Sequence, residues 1–173
     1  VISDIEYYKN FLDWGMDGEP NNLCDDVIKW LKKNIPSDAN PNKLCWGDSR
    51  LGNVLYRDYK ASALLDWEMS SIGDPISDLA WGFAVDDASS LGLGIKKLEG
   101  SLSSSEAIDI WEKNTNLSSK NYKFYRIFSL LKFSIIMIRV AKKLTINNIM
   151  ELEKDFYKNN YISNFLEKEF KQI

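Results

Sequence analysis

Apolar residues recur at helical spacing from the start of the chain. Ile5, Tyr8, Phe11 and Leu12 share one face, predicting a helix to about Trp14 with Ser3 or Asp4 as its cap. "GMDGEPNN" breaks that pattern. A second helix is predicted over Leu23 to Asn34, with Val27, Ile28 and Leu31 in one stripe and Trp30 beside it. "IPSDANPNK" reads as a loop. From Lys43 the period changes. "KLCW" is short and apolar, like a strand, and "GDSRLGN" reads as a loop. "NVLYR" and "SALLDW" read as two short strands turning at "DYKA". "SSIGDP" is predicted as loop, with Pro75 where a helix starts, and "ISDLAWGFAVDDASS" as that helix. "LGLGIKKLEGSLSS" reads as a linker whose glycines follow no strand, unlike a phosphate-binding loop.

Ser103 to Ser105 are placed to cap "SEAIDIWEKNTN" as a further helix. "SSKNYKFYRIFSLLKFSIIMIRVAKKL" predicts a long apolar helix, interrupted by Tyr122, Arg126, Ser129 and Lys132. "NNIMELEKDFYKNNYISNFLEKEF" predicts a last amphipathic helix or pair. The expected fold class is therefore α+β and mainly α-helical, with helices packed around one small β-hairpin. Tyr122, Tyr125, Phe128 and Phe133 are expected in the core. The segment Ile127 to Ala141 carries Lys132 and is shorter than the roughly 20 apolar residues that a span needs, so no membrane partner is expected.

Composition narrows the chemistry. The 173 residues carry a net charge of −3, and no basic face points to nucleic acid. Two cysteines, Cys24 and Cys45, form neither a disulfide scaffold nor a metal cluster, and a reduced, cytoplasmic compartment is expected. Cys45 reads as a small buried hydrophobe. Histidine is absent, which excludes His-based triads and most zinc catalysis. Proton transfer must then fall to a carboxylate, Lys, Tyr or Cys. The chain opens on Val1 with no signal-like segment, so a start inside a longer polypeptide or after a removed segment is expected.

One stretch concentrates the remaining chemistry: "LCWGDSRLGNVLYRDYKASALLDWEMSSIGDPISDLAW", from Leu44. Asn53 stands at the entry of the first predicted strand and Asp66 at the exit of the second. A hairpin brings its two ends together, and Asp48 lies in the loop feeding that end. Two carboxylates and an amide oxygen then face one small volume. Such ligands suit Mg²⁺, which takes few protein oxygens and fills its shell with phosphates and water. Phosphoryl transfer from ATP uses a base followed by an Asn and a metal-binding Asp across a hairpin, the order of Asp48, Asn53 and Asp66.

"CWGDSRLGN…LLDWEMSSIGDPISDLAW" resembles the aminoglycoside phosphotransferase-like (phosphotransferase enzyme) family, whose usual core is HGD-x4-N followed by D-W. Within it, the stretch is similar to a branch related to the kinase-like domains of acyl-CoA dehydrogenase family proteins, as are the flanks "YYKNFLDW", "VIKWLKKNIP" and "YRIFSLLKFSIIMI". The resemblance implies a protein-kinase-like C-terminal lobe with Mg²⁺ and ATP as cofactor and co-substrate. It implies Asp48 as the catalytic base, Asn53 and Asp66 as Mg²⁺ ligands that also bind the nucleotide, and Asp78 as a brace for the catalytic loop. Arg50 occupies the place of a protein-kinase Lys near the transferred phosphate, a candidate for charge neutralisation. Trp46 stands where the family usually has His and is expected, like Trp67, to pack with a hydrogen-bonded indole. Glu68 reads as a surface or hydrogen-bonding carboxylate rather than a ligand.

Residues 1–173 are accordingly expected to form a single C-terminal lobe. No Gly-rich loop and strand Lys precede Asp48, so the nucleotide-binding N-terminal lobe is expected to be absent from this chain, leaving the chain alone with little activity. The implied acceptor is a hydroxyl on a small molecule, either a hydroxyacyl-CoA-like metabolite or an aminoglycoside-like compound. The alternatives are a non-catalytic, pseudokinase-like binding module and, less favoured for want of His and further clustered carboxylates, a metal-dependent hydrolase.

Overall fold

The computed structural model describes residues 1–149, 151 and 155–173. The chain forms two compact units, one of residues 1–35 and 130–173, the other of residues 36–129. The described elements are mainly helical, with two short sheets.

In the first unit, α1 (Ile2–Gly15) starts earlier than the predicted caps. Ser3 and Asp4 lie inside it, and Val1 stands at the cap without a side-chain bond. α2 (Asn22–Lys33) has a true cap: the Asn21 side chain accepts from the Cys24 amide at 3.2 Å. Lys32 and Lys33 sit in its last turn, where the helix dipole favours cations. The stripe Val27, Ile28 and Leu31 is buried, as are Ile5 and Leu12 of α1. The α1 C-terminus passes close to α5 (Tyr122–Ile146): a Cβ on Gly15 would lie 3.2 Å from Ile138 Cγ2. Leu130, Leu131, Ile135 and Ile138 complete this core with Ile162 and Leu166 of α6 (Tyr161–Phe170).

The predicted last helix is shorter than its pattern suggests. Residues 155–158 form a turn, and α6 begins only at Tyr161. Asn160 fixes that start, accepting from the Ile162 and Ser163 amides at 3.0 and 3.1 Å, while Ser163 Oγ accepts from the Asn160 amide at 2.9 Å. A serine here does the work of the usual Glu or Gln in a capping box. Met150, Leu152, Glu153 and Lys154 of the predicted segment lie outside the described residues.

In the second unit, β2 (Val54–Arg57) and β3 (Lys60–Leu64) form the predicted hairpin, antiparallel from Val54↔Leu64 to Arg57↔Lys60. Its two turn residues, Asp58 and Tyr59, both have positive φ (49° and 60°), the mirror-type turn whose twist suits a hairpin. β1 (Lys43–Cys45) pairs antiparallel with β4 (Ser71–Gly73), which lies inside "SSIGDP". The loop expectation fails there because three residues are too short to show a period. The pairing rests on backbone hydrogen bonds and leaves Leu44 and Ile72, which face one another in register, exposed.

α3 (Ile76–Ser90) follows Pro75, and the buried Asp74 accepts from the Ile76 amide and from Asn40. α4 (Ser104–Thr115) starts at a full capping box of Ser103 and Glu106. Buried Asp87 of α3 pairs with Lys97 of the linker and with Arg126 of α5, the latter at 2.8 Å. A buried carboxylate is stable only when paired in this way.

Leu131→Ala, at a fully buried position, is expected to lower the unfolding free energy by about 2–5 kcal/mol. Ile146→Ala, at a 67 % exposed position, is expected to change it by less than about 0.5 kcal/mol. Urea melts of the two variants check this, and equal losses would contradict the placement of the core.

Candidate active site

The loop from Trp46 to Asn53 is fixed from below by α3. Asp78, in the first turn of that helix, accepts from the Trp46 amide at 2.7 Å through Oδ2 and from the Gly47 amide at 2.9 Å through Oδ1. Its own carbonyl accepts from Ser49 Oγ at 2.6 Å. Gly47 must be glycine: φ is +89°, and a Cβ would lie 2.1 Å from the Met69 carbonyl oxygen. Gly82, one turn beyond Asp78 on α3, lets the loop come close, since a Cβ there would stand 2.7 Å from the Ser49 carbonyl oxygen.

The loop presents Asp48 to three donors. Trp81 Nε1 donates to Oδ1 at 2.8 Å, and Asn53 Nδ2 and Arg50 Nε donate to Oδ2 at 2.6 and 2.9 Å. Asn53 Nδ2 also reaches the Asp48 carbonyl at 3.0 Å. Asp48, Asn53 and Trp81 are all buried. Burial alone would push the Asp48 carboxyl up. The hydrogen bonds from Arg50, Trp81 and Asn53, with the Arg50 charge, outweigh it and hold the group below the ordinary carboxylate range. Trp81 was not singled out from the sequence. Its signal was its position three residues after Asp78, which sets both side chains on one face of α3.

Asp66 enters from the hairpin. The Leu65 amide donates to the Asn53 carbonyl at 2.8 Å, closing the hairpin one residue before Asp66. Asp66 is exposed, has a left-handed backbone (φ 59°), and makes no hydrogen bond or ion pair among the described residues. Asp tolerates that region better than most non-glycine residues. Asn53 spends its amino group on Asp48, which leaves its Oδ1 free to accept or to ligate. One free amide oxygen and one free carboxylate fit a hard cation that completes its shell with phosphates and water. They do not make a closed protein cage, and no cluster of three or more His, Cys, Asp or Glu able to hold a metal is found among the described residues.

The other sequence candidates fall around this centre. Arg50 is half exposed and leans on Asp48, with its Nη1 3.2 Å from where a Cβ on Gly52 would stand. Trp46 Nε1 donates to the Leu65 carbonyl at 2.8 Å, and Trp67 Nε1 to the Leu64 carbonyl at 2.9 Å. Trp67 is 42 % exposed, so packing accounts for only part of its role. Glu68 is exposed. Cys45 is buried, and its thiol is pushed up by burial.

This geometry sits inside a sequence match. The profile of the phosphotransferase enzyme family matches residues 4–102, more than half of the chain. The chain belongs to the phosphotransferase enzyme family. Among its relatives is acyl-CoA dehydrogenase family member 11 of Gallus gallus, 30 % identical over 136 residues, covering 72 % of this chain and 18 % of the relative. The human protein of that name is 45 % identical over 56 residues, covering 31 % of this chain and 7 % of the relative. Acyl-CoA dehydrogenase family member 10 of Mus musculus is 28 % identical over 135 residues, covering 68 % and 12 %. The chain thus spans less than a fifth of the length of these relatives. A Ralstonia eutropha protein assigned to the aminoglycoside phosphotransferases has a crystal structure that superposes with a TM-score of 0.75 at 22 % identity. It covers 96 % of this chain and 54 % of that one, and shows a shared kinase-like fold. No helix among the described residues is long and apolar enough to cross a membrane.

Asp78→Ala would leave two loop amides without an acceptor, at about 1–3 kcal/mol each. Asp78→Asn, which keeps one acceptor oxygen, is expected to lose about half as much. Thermal melts rank the three proteins, and amide hydrogen exchange at Trp46 and Gly47 localises the effect. Unchanged protection in Asp78→Ala would refute the brace.

Proposed function

We propose that this chain carries the base and metal ligands of a small-molecule kinase, moving the γ-phosphoryl group of ATP to a hydroxyl. The family and fold support a phosphotransferase of this general kind. The observation that carries the finer reading is the set of donors around Asp48, which leaves one position open. A carboxylate offers about four lone-pair positions, and three donors occupy Asp48, two on Oδ2 and one on Oδ1. The open position on Oδ1 is where an acceptor hydroxyl would bind. Held in the charged form by its donors, Asp48 would orient that hydroxyl and receive its proton as the new bond to phosphorus forms.

Asn53 Oδ1 and the Asp66 carboxylate would hold Mg²⁺, which when bound neutralises charge on the nucleotide phosphates. Arg50 Nε stays on Asp48 and its terminal nitrogens make no bond among the described residues, so it can offset charge gathering beside the base. Trp46 and Asp78 hold the loop. Contacts to the adenine would come from elements other than those ahead of Asp48 here, which are α1, α2 and β1. The names of the sequence relatives favour a hydroxylated acyl-CoA-like metabolite over an aminoglycoside as acceptor.

ATP consumption by the full-length protein, screened against hydroxylated metabolites including hydroxyacyl thioesters, is the direct test. Asp48→Ala is expected to lower turnover by about 10²–10⁴-fold while sparing nucleotide binding. Asp66→Ala is expected to abolish turnover. Equal ATP consumption by wild type and Asp66→Ala would sink the metal assignment. A full-length protein that binds Mg²⁺-ATP and phosphorylates no hydroxyl acceptor would be a binding module instead.

A further inference from the structure

We infer that Trp46 is a positioning residue for Asp66, and that Trp46 and Trp67 together form an indole clamp on the backbone leading into it. The peptide plane between Leu64 and Leu65 is bonded on both sides. Its carbonyl accepts from Trp67 Nε1 at 2.9 Å, and its N–H donates to the Asn53 carbonyl at 2.8 Å. The next plane, between Leu65 and Asp66, has its carbonyl held by Trp46 Nε1 at 2.8 Å. The orientation of that second plane sets the φ of Asp66, which takes a left-handed value of 59°. Trp46 is itself anchored, because Asp78 holds its amide at 2.7 Å. The two indole rings lie 6.0 Å apart, tilted by 36°, so each limits the movement of the other. The base loop and the Asp66 backbone are therefore tied through one side chain, and Asp66 itself makes no bond among the described residues that would hold it.

The inference rests on the metal role proposed above for Asp66. Its test uses the full-length protein with a non-hydrolysable ATP analogue, and Mn²⁺ binding followed by electron paramagnetic resonance. Trp46→Phe keeps the ring and deletes the donor. It is expected to weaken Mn²⁺ binding about tenfold, the scale of one hydrogen bond to a preorganised ligand. It should raise the Mg²⁺ concentration for half-maximal turnover by the same factor and leave kcat at saturating Mg²⁺ within about threefold of wild type, a split that general loss of structure would not give. A folded Trp46→Phe protein with wild-type Mn²⁺ affinity would overturn the inference. Asp66→Asn serves as the control: if it binds Mn²⁺ as wild type does, the metal reading fails, not the clamp. Should Trp46→Phe not fold, the indole N–H signals of ¹⁵N-labelled wild type decide the matter. Slow solvent exchange of the Trp46 and Trp67 signals, with broadening by Mn²⁺, supports the clamp. Exchange at the rate of a free indole refutes it.

Discussion

The carboxylate of Asp78 and the two amides it holds set the position of every group that follows. A loop of polar and glycine residues has no period of its own to fix it, and its amides need acceptors once they are partly buried. Asp78 provides two oxygens for two consecutive N–H groups, from Trp46 and Gly47. Gly47 then takes a left-handed backbone (φ +89°) that a side chain would not tolerate beside the Met69 carbonyl. Asp48, next in the chain, then meets Trp81, which stands three residues after Asp78 on the same helix. One face of α3 thus braces both the loop and the carboxylate that the loop presents.

The electrostatics of Asp48 follow from this arrangement. Burial disfavours its charge, while three donors favour it, and the donors prevail. One of them, Asn53, is shared between the side chain and the main chain of Asp48, so its amide group cannot turn over without losing both bonds. The orientation of Asn53 Oδ1 is thereby fixed by the residue it serves. A weaker network would leave the amide free to flip and would blur the distinction between its donor and acceptor ends. Arg50 differs from the other two donors in being half exposed, so its hold on Asp48 is the one that solvent and incoming anions can modulate.

Much of this was legible in the sequence because it depends on short-range rules. The hairpin announced itself through apolar strands around "DYKA", and the bounds of α3 follow from Pro75 and the run that ends at Ser90. The approach of Asn53 to the far end of the hairpin needed no more than pairing geometry. What escaped depends on contacts without a period. β4 is three residues paired through the backbone, and no side-chain pattern marks it. The start of α6 is set by Asn160 and Ser163 rather than by the apolar spacing that runs well ahead of it. The Trp81 bond to Asp48 joins residues far apart in sequence, and a tryptophan in an apolar helix reads first as core.

The absence of histidine takes on a physical meaning at Trp46. An indole donates one hydrogen bond, accepts none and does not titrate. Imidazole can donate from either nitrogen, can accept, and changes charge near neutrality. With an indole at position 46, the bond to the Leu65 carbonyl has only one possible direction, and its strength does not vary with pH through the physiological range. The connection between the loop bearing Asp48 and the backbone bearing Asp66 is therefore purely geometric. The charge of Asp48 is set by its own donors, and the neighbouring aromatic residue is left to hold position alone.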